Sequence, residues 1–269
     1  MIAKNFRLIL AGALAAGATL AYSTAVFLVQ DMLLFKPGKK NPAGAAEYSF
    51  PEFREVFIET ADRLRLRARY YAGDKSRPAI LYNHGQSYDI DKLAFVMKPY
   101  IEEGFPVYMT GYRAYGGNPG KYSEAGFVLD IGAGWNFLRA HGHDKIIVHG
   151  FSMGCAHSAS FAANEKPHAL ILESSFAKLS EKVPTPARPL IKYKMDVEER
   201  ARTITAPALV LHGGNDKKVP IAQGRKVFDA LPGGNKEFME IPDAGHYTYN
   251  NGSITKIIDW LRGRGLDRG

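Results

Sequence analysis

Gly150-Phe151-Ser152-Met153-Gly154 stands between the apolar run Ile146-Ile147-Val148 and the small-residue stretch Cys155-Ala156-His157-Ser158-Ala159-Ser160, which reads as strand, sharp turn, helix. A serine at the apex of such a turn is held in a strained conformation with its hydroxyl pushed outward, and glycines two residues to either side relieve the crowding. Serine is a weak nucleophile at its own pKa, so the turn does chemistry only if a base and an acid reach it. Asp216 follows the apolar run Ala208-Leu209-Val210-Leu211, and His246 follows Phe238-Met239-Glu240-Ile241. Taken singly, each is an ordinary turn or structural residue. Each placed just after a strand, in the order Ser152, Asp216, His246, they point to a nucleophile, an orienting acid and a general base. His246 would take the serine proton during attack and return it to the leaving group, while Asp216 fixes the imidazole tautomer. Glu173, behind Ala169-Leu170-Ile171-Leu172, is a rival for the acid, with a structural hydrogen bond as its alternative role.

Such a reaction builds an oxyanion, which needs donors. His84-Gly85-Gln86 follows the run Ile80-Leu81-Tyr82, and the backbone amides of Gln86 and Met153 are the expected pair. His84 is expected to brace that turn, and Cys155 to let a helix pack close to the sheet. His141, His143 and His157 have no carboxylate or cysteine partners at ligand spacing, so no metal is expected. No G-x-G-x-x-G or P-loop occurs, and no nucleotide cofactor is implied.

The elements that must position these residues are legible in the apolar pattern. Residues 55–59 and 64–70 alternate across the turn at residues 61–63, as an antiparallel hairpin at a sheet edge does. Residues 78–82, 106–109, 146–148, 169–172, 208–211 and 238–241 are short apolar runs separated by segments of helical spacing, among them 91–103 and 124–140. Unalternating strands between helices imply an α/β fold, a mostly parallel eight-stranded sheet with helices on both faces. Sites in such sheets gather at the carboxyl ends of the strands, where every motif above falls. About 30 residues separate residue 172 from residue 206, with Pro184, Pro186 and Pro189 breaking any long helix, so the cap, around residues 174–204, is small.

The chain resembles the α/β-hydrolase superfamily over roughly residues 50–262. Gly111-Tyr112-Arg113-Ala114-Tyr115-Gly116-Gly117-Asn118-Pro119-Gly120 resembles the D-Y-R-G-Y-G-x-S-x-G loop of a short-capped subfamily, with Gly111 in place of Asp and Ala114 in place of Gly. Leu34-Phe35-Lys36-Pro37 and Lys192-Tyr193-Lys194-Met195-Asp196 are similar to it too. The resemblance implies the α/β-hydrolase fold, a pocket-lining role for that loop and Tyr115, and often an N-terminal membrane anchor. Some eukaryotic relatives of this kind remove palmitate from proteins.

Residues 8–29 are 22 positions without a charge, which as a helix span roughly 33 Å against a hydrocarbon core of about 30 Å. A membrane anchor over residues 1–35 is the leading expectation, with a linker at 36–49 and the catalytic domain at 50–269. A signal peptide cleaved near Thr19-Leu20-Ala21, giving a secreted or periplasmic protein, is the alternative. Lys4 and Arg7 on one side balance Lys36, Lys39 and Lys40 on the other, so charge sets no orientation. The net charge of +8 is spread along the chain without an aromatic-basic motif, which gives no nucleic-acid site. The single Cys155 excludes an intrachain disulfide. The expected function is a serine hydrolase acting on an acyl ester or thioester, with membrane lipid as its partner. An acyltransferase or perhydrolase with the same triad, and a non-catalytic scaffold, are the alternatives, and oligomeric state is left open.

Overall fold

Apolar runs with no polar face can only be strands covered on both sides, and the computed structural model places them so. It describes residues 2–37, 52–87, 89–183 and 185–268, with backbone alone for 2–16, 182 and 186. Most of the expected linker at 36–49, the expected domain start at Phe50, and Pro184 lie outside the described residues. The chain runs through helix α1 (Ile2–Leu34), β1 (Arg54–Glu59), β2 (Arg65–Tyr71), β3 (Ala79–Asn83), α2 (Ile90–Leu93), α3 (Lys98–Glu102), β4 (Val107–Met109), α4 (Glu124–Ala140), β5 (Ile146–Phe151), α5 (Met153–Ala162), β6 (Ala169–Glu173), α6 (Val197–Ala201), β7 (Ala208–Gly213), α7 (Ile221–Ala230), β8 (Lys236–Ile241) and α8 (Ser253–Gly263).

The eight strands form one sheet in the order β1-β2-β4-β3-β5-β6-β7-β8. β1 and β2 make the antiparallel edge hairpin, β2 joins β4 antiparallel, and the rest is parallel. Strand alternation splits the core in two. Leu81, Val148 and Leu170 face one layer with Phe127 and Ile131 of α4 and Ala156 and Ala159 of α5. Ile80, Ile147 and Ile171 face the other, with Ile257 and Leu261 of α8. The expected helix at 91–103 is instead two short α-helices joined by a 3-10 turn at Ala94–Met97, with Pro99 in the first turn of the second. A proline cannot donate to the preceding turn, so the helix is restarted rather than continued.

The hairpin holds charges that its alternation places on the solvent side. Arg67 and Arg69 of β2 are 4% and 5% exposed, and both converge on Asp91. Arg67 Nη1 is 2.8 Å from both Asp91 oxygens, and Arg69 Nη2 is 2.7 Å from Oδ1. The Asp91 carboxyl is pushed up by burial but held below its ordinary value by the two guanidiniums. The loop at 111–120 packs on the same strand. A Cβ at Gly111 would lie 1.8 Å from the Arg67 carbonyl oxygen, so the Asp of the related loop has no room here. Ala114 takes the left-handed φ of 63° that a glycine would adopt freely.

Removing one partner of a buried pair strands the other charge in a medium that solvates it poorly. Asp91→Asn is therefore expected to cost about 3–5 kcal/mol of stability, read from the midpoint of urea unfolding; an unmoved midpoint would show that the two guanidiniums find water.

Candidate active site

Helix α5 starts where β5 ends, and its first turn crosses β3 at backbone contact distance. A Cβ on Gly154 would stand 2.0 Å from the Asn83 carbonyl oxygen, so only glycine permits the crossing. The chain turns into it through Ser152, at φ 52° and ψ −115°. The Ser152 amide donates to the Glu173 carbonyl at 2.8 Å, and its hydroxyl faces the loops that follow β7 and β8.

From the β8 loop, His246 Nε2 lies 3.0 Å from Ser152 Oγ, and His246 Nδ1 lies 2.7 Å from Asp216 Oδ2. With Nδ1–H given to the carboxylate, Nε2 is left to accept the serine proton. Asp216 Oδ1 accepts the amides of Lys218 and Val219, each at 2.8 Å. His212 Nε2 donates to the Val219 carbonyl at 2.9 Å and stands 3.4 Å from Asp216 Oδ2. Burial pushes the Asp216 carboxyl up, but His212, His246 and the Val219 amide outweigh it and hold the group well below the usual carboxylate range. The rest of the His246 residue is fixed too, since its carbonyl accepts the Ser174 hydroxyl at 2.9 Å.

The rival acid points elsewhere. Glu173 is fully buried and takes the Thr248 and Ser253 hydroxyls at 2.5 Å each and His149 Nε2 at 2.9 Å. Burial raises its carboxyl, and these partners bring it below its ordinary value. It ties β5 and β6 to α8, the structural role named as its alternative.

Gln86 and Met153 line, with Ser152, an apolar cavity of about 180 Å³ bounded by Leu34, Phe176 and Met195. Met153 is the first residue of α5, so its amide has no acceptor within the helix and sits at the positive end of the helix dipole. The Gln86 carbonyl is gripped twice, by the Tyr115 hydroxyl and the Lys36 amide, each at 3.0 Å. Tyr115 is buried at 1% exposure, so it clamps the Gln86 loop instead of lining a pocket. A second cavity, of about 340 Å³, lies on the His246 side and is bordered by Lys36, Ser87, Lys218 and Tyr247. Lys36 and Lys218 make its lining basic, and Lys218 Nζ donates to the Tyr247 hydroxyl at 2.8 Å.

Two buried histidines underpin the loop. His84 Nδ1 donates to the Gly85 carbonyl at 2.8 Å, and burial lowers its pKa to about 4. His157 lies between Phe127 and Tyr112, and burial lowers its pKa to about 3. Cys155 is buried, donates to the Gly150 carbonyl at 3.1 Å, and has its thiol pushed up by burial, which makes it unreactive. Among the described residues no group of three or more His, Cys, Asp or Glu is placed to hold a metal ion.

Sequence reasoning missed the residues that hold the site together. Tyr115 and Lys36 on Gln86 and Ser174 on His246 act across long chain separations, whereas His212 lies beneath Asp216 only four positions away. For His212 the signal was its place at the end of the β7 run; for Ser174 it was the Ser-Ser pair behind β6.

The serine aminopeptidase S33 family matches residues 187–252, a stretch that contains Asp216 and His246. The uncharacterized protein MT2364 of Mycobacterium tuberculosis is 31% identical over 233 residues, 83% of this chain and 82% of that protein. The human alpha/beta hydrolase domain-containing protein 17C is 26% identical over 209 residues, 74% of this chain and 63% of that one. Among solved structures, the Pyrococcus furiosus esterase Pf2001 superposes with a TM-score of 0.66 at 21% identity, over 85% of this chain and 97% of that one. The chain belongs to the α/β-hydrolase superfamily.

The depressed histidines set a pH dependence. In the unfolded chain both titrate near 6.5, so between that value and about 4 the unfolded state binds more protons than the folded one. Stability is then full above pH 6.5 and falls on acidification, by up to about 1.4 kcal/mol per pH unit for each histidine. His157→Leu is expected to flatten the slope of unfolding free energy against pH between 6.5 and 4 by about one proton; an unchanged slope would show that His157 is already charged in the fold.

Proposed function

We propose that the protein is a serine hydrolase that cleaves carboxylic esters or thioesters through an acyl-enzyme, with Ser152, His246 and Asp216 as its triad. The observation that carries this reading is the unbroken relay from Ser152 Oγ to His246 to Asp216, with separations of 3.0 and 2.7 Å. In the first half-reaction Ser152 Oγ bonds to the acyl carbon while its proton passes to His246 Nε2. The carbonyl oxygen becomes an oxyanion facing the Gln86 and Met153 amides. Collapse expels the alcohol or thiol, which leaves with the proton from His246. Water then attacks the acyl-enzyme by the same route in reverse.

The family match over residues 187–252 raises peptide cleavage from a free amino terminus as another use of the triad. An ammonium group needs a carboxylate partner, and among the described residues lining the two cavities beside Ser152 there is no Asp or Glu. The neutral acyl group fits better. Every triad position being filled argues against an idle scaffold, and transfer to an acceptor other than water would use the same site.

The N-terminal helix serves as a membrane anchor in this reading. Gly17–Leu34 is long and apolar enough to cross a membrane, a test that signal sequences also pass. Cleavage near Ala21 would leave Phe27, Leu28, Met32 and Leu33, all more than half exposed, facing water. Retention in lipid accounts for them.

A fluorophosphonate probe is expected to label the wild-type enzyme and not Ser152→Ala, and the variant to lose on the order of 10⁶ in turnover on a panel of esters and thioesters. Wild-type turnover in Ser152→Ala would sink the triad assignment. Membranes washed at high salt should retain the protein, whereas its release would mean charge-only adhesion or cleavage.

A further inference from the structure

The two segments at 34–37 and 192–196, far apart in the chain, meet beside Ser152. The contact begins one turn earlier in α1. Gln30 is buried against the cap, where its side-chain amide donates to the Leu190 carbonyl at 2.9 Å and its side-chain carbonyl accepts the Lys192 amide at 2.7 Å. Asp31 accepts the Tyr193 hydroxyl at 2.6 Å and the Lys192 ammonium at 3.2 Å. Phe35 is 2% exposed, stacked on Tyr122 at 4.3 Å and edge-on to Tyr193 at 5.0 Å. A tether requires none of these contacts, and a chain that merely linked anchor to domain would be solvated here.

The next two residues reach the site. Leu34 forms part of the wall of the apolar cavity that contains Ser152 and Met153. The Lys36 amide donates to the Gln86 carbonyl at 3.0 Å, and Lys36 pairs with Ser87 as a parallel bridge. Residue 86 is thus fixed from its carbonyl side by the segment that leaves the helix. Leu28 and Leu33, two-thirds exposed, lie on the same helix as the Leu34 wall.

We propose that residues 30–36 are a working part of the active site: Leu34 contacts the acyl chain, the Lys36 amide positions the Gln86 loop, and Gln30 and Asp31 latch both in place. The site then takes acyl chains of membrane-resident amphiphiles, which reach Ser152 alongside the helix. Gln30, Asp31 and Lys36 are positioning residues, and the inference rests on Ser152 being the nucleophile.

The test uses the full-length enzyme in detergent micelles, with fluorophosphonate labelling rates, kcat and KM on p-nitrophenyl esters from acetate to decanoate, and thermal melting. The double variant Gln30→Leu, Asp31→Ala is expected to lose about 10- to 100-fold in kcat and labelling rate with KM for acetate and the melting temperature little moved. Asp31→Asn, which keeps an acceptor for the Tyr193 hydroxyl, should recover most of the rate lost in Asp31→Ala. Leu34→Trp should lower the decanoate-to-acetate ratio of kcat/KM by at least about tenfold. That ratio is internal to one preparation, so it decides the matter if the double variant loses its cooperative melt. Wild-type labelling rates and chain-length ratios in these variants would make the helix a tether and overturn the proposal. A wild-type enzyme that the probe does not label would instead remove the nucleophile, and this inference with it.

Discussion

The contact between Gly154 and the Asn83 carbonyl is the constraint on which the site depends. Because α5 crosses β3 with no side chain between, the turn from β5 into the helix must be completed by one residue, and that residue is driven to a positive φ. Such a conformation costs on the order of 1–3 kcal/mol in a non-glycine residue. The fold supplies this from its core, where β3, β5, β6 and β7 are buried along their whole length. The strain orients Ser152 Oγ toward His246 and leaves the Met153 amide at a helix end.

The turn itself is braced by a residue outside the relay, and the relay's own acid is held separately. Glu173 accepts the Ser152 amide through its carbonyl, and its carboxylate gathers Thr248, Ser253 and His149. Asp216 accepts two amides and His246, which lets it remain an anion although its side chain is buried. The two carboxylates lie at the carboxyl ends of neighbouring strands, Glu173 as the last residue of β6 and Asp216 just past β7, and have opposite tasks, one facing the core and one the imidazole. Hydrogen-bond geometry, not chain position, separates them.

Much of this was legible because short apolar runs with no alternation fit only a doubly covered sheet, and because reactive residues follow strands in a fixed order. Ser152, Asp216 and His246 could be ordered along the chain from those rules. The hairpin misled in part. Leu64, Leu66, Ala68 and Tyr70 alternate with arginines as on a half-solvated strand, yet Arg67 and Arg69 are buried because Asp91 from another segment covers them. Periodicity reports which residues share a face and says nothing of what lies over it. The same limit hid Tyr115: the loop it belongs to was recognisable, but its hydroxyl reaches the Gln86 carbonyl, 29 positions away, and so supports the site from behind.

The N-terminal segment shows how boundaries drawn from composition can cut through a working unit. A charge-free stretch ends at Val29, and Gln30 and Asp31 look like the polar residues that mark the exit from a membrane. In the fold they hydrogen-bond residues 190–193, and Leu34 and Lys36 then border the two cavities beside Ser152. The apolar cavity is bounded by the end of the helix, and the basic one by the residue that follows Phe35. In the proposed reaction, a carbonyl at Ser152 would have its acyl side against the helix end and its leaving group toward Lys36 and Lys218, so the seat of the helix would bear on how the substrate is oriented.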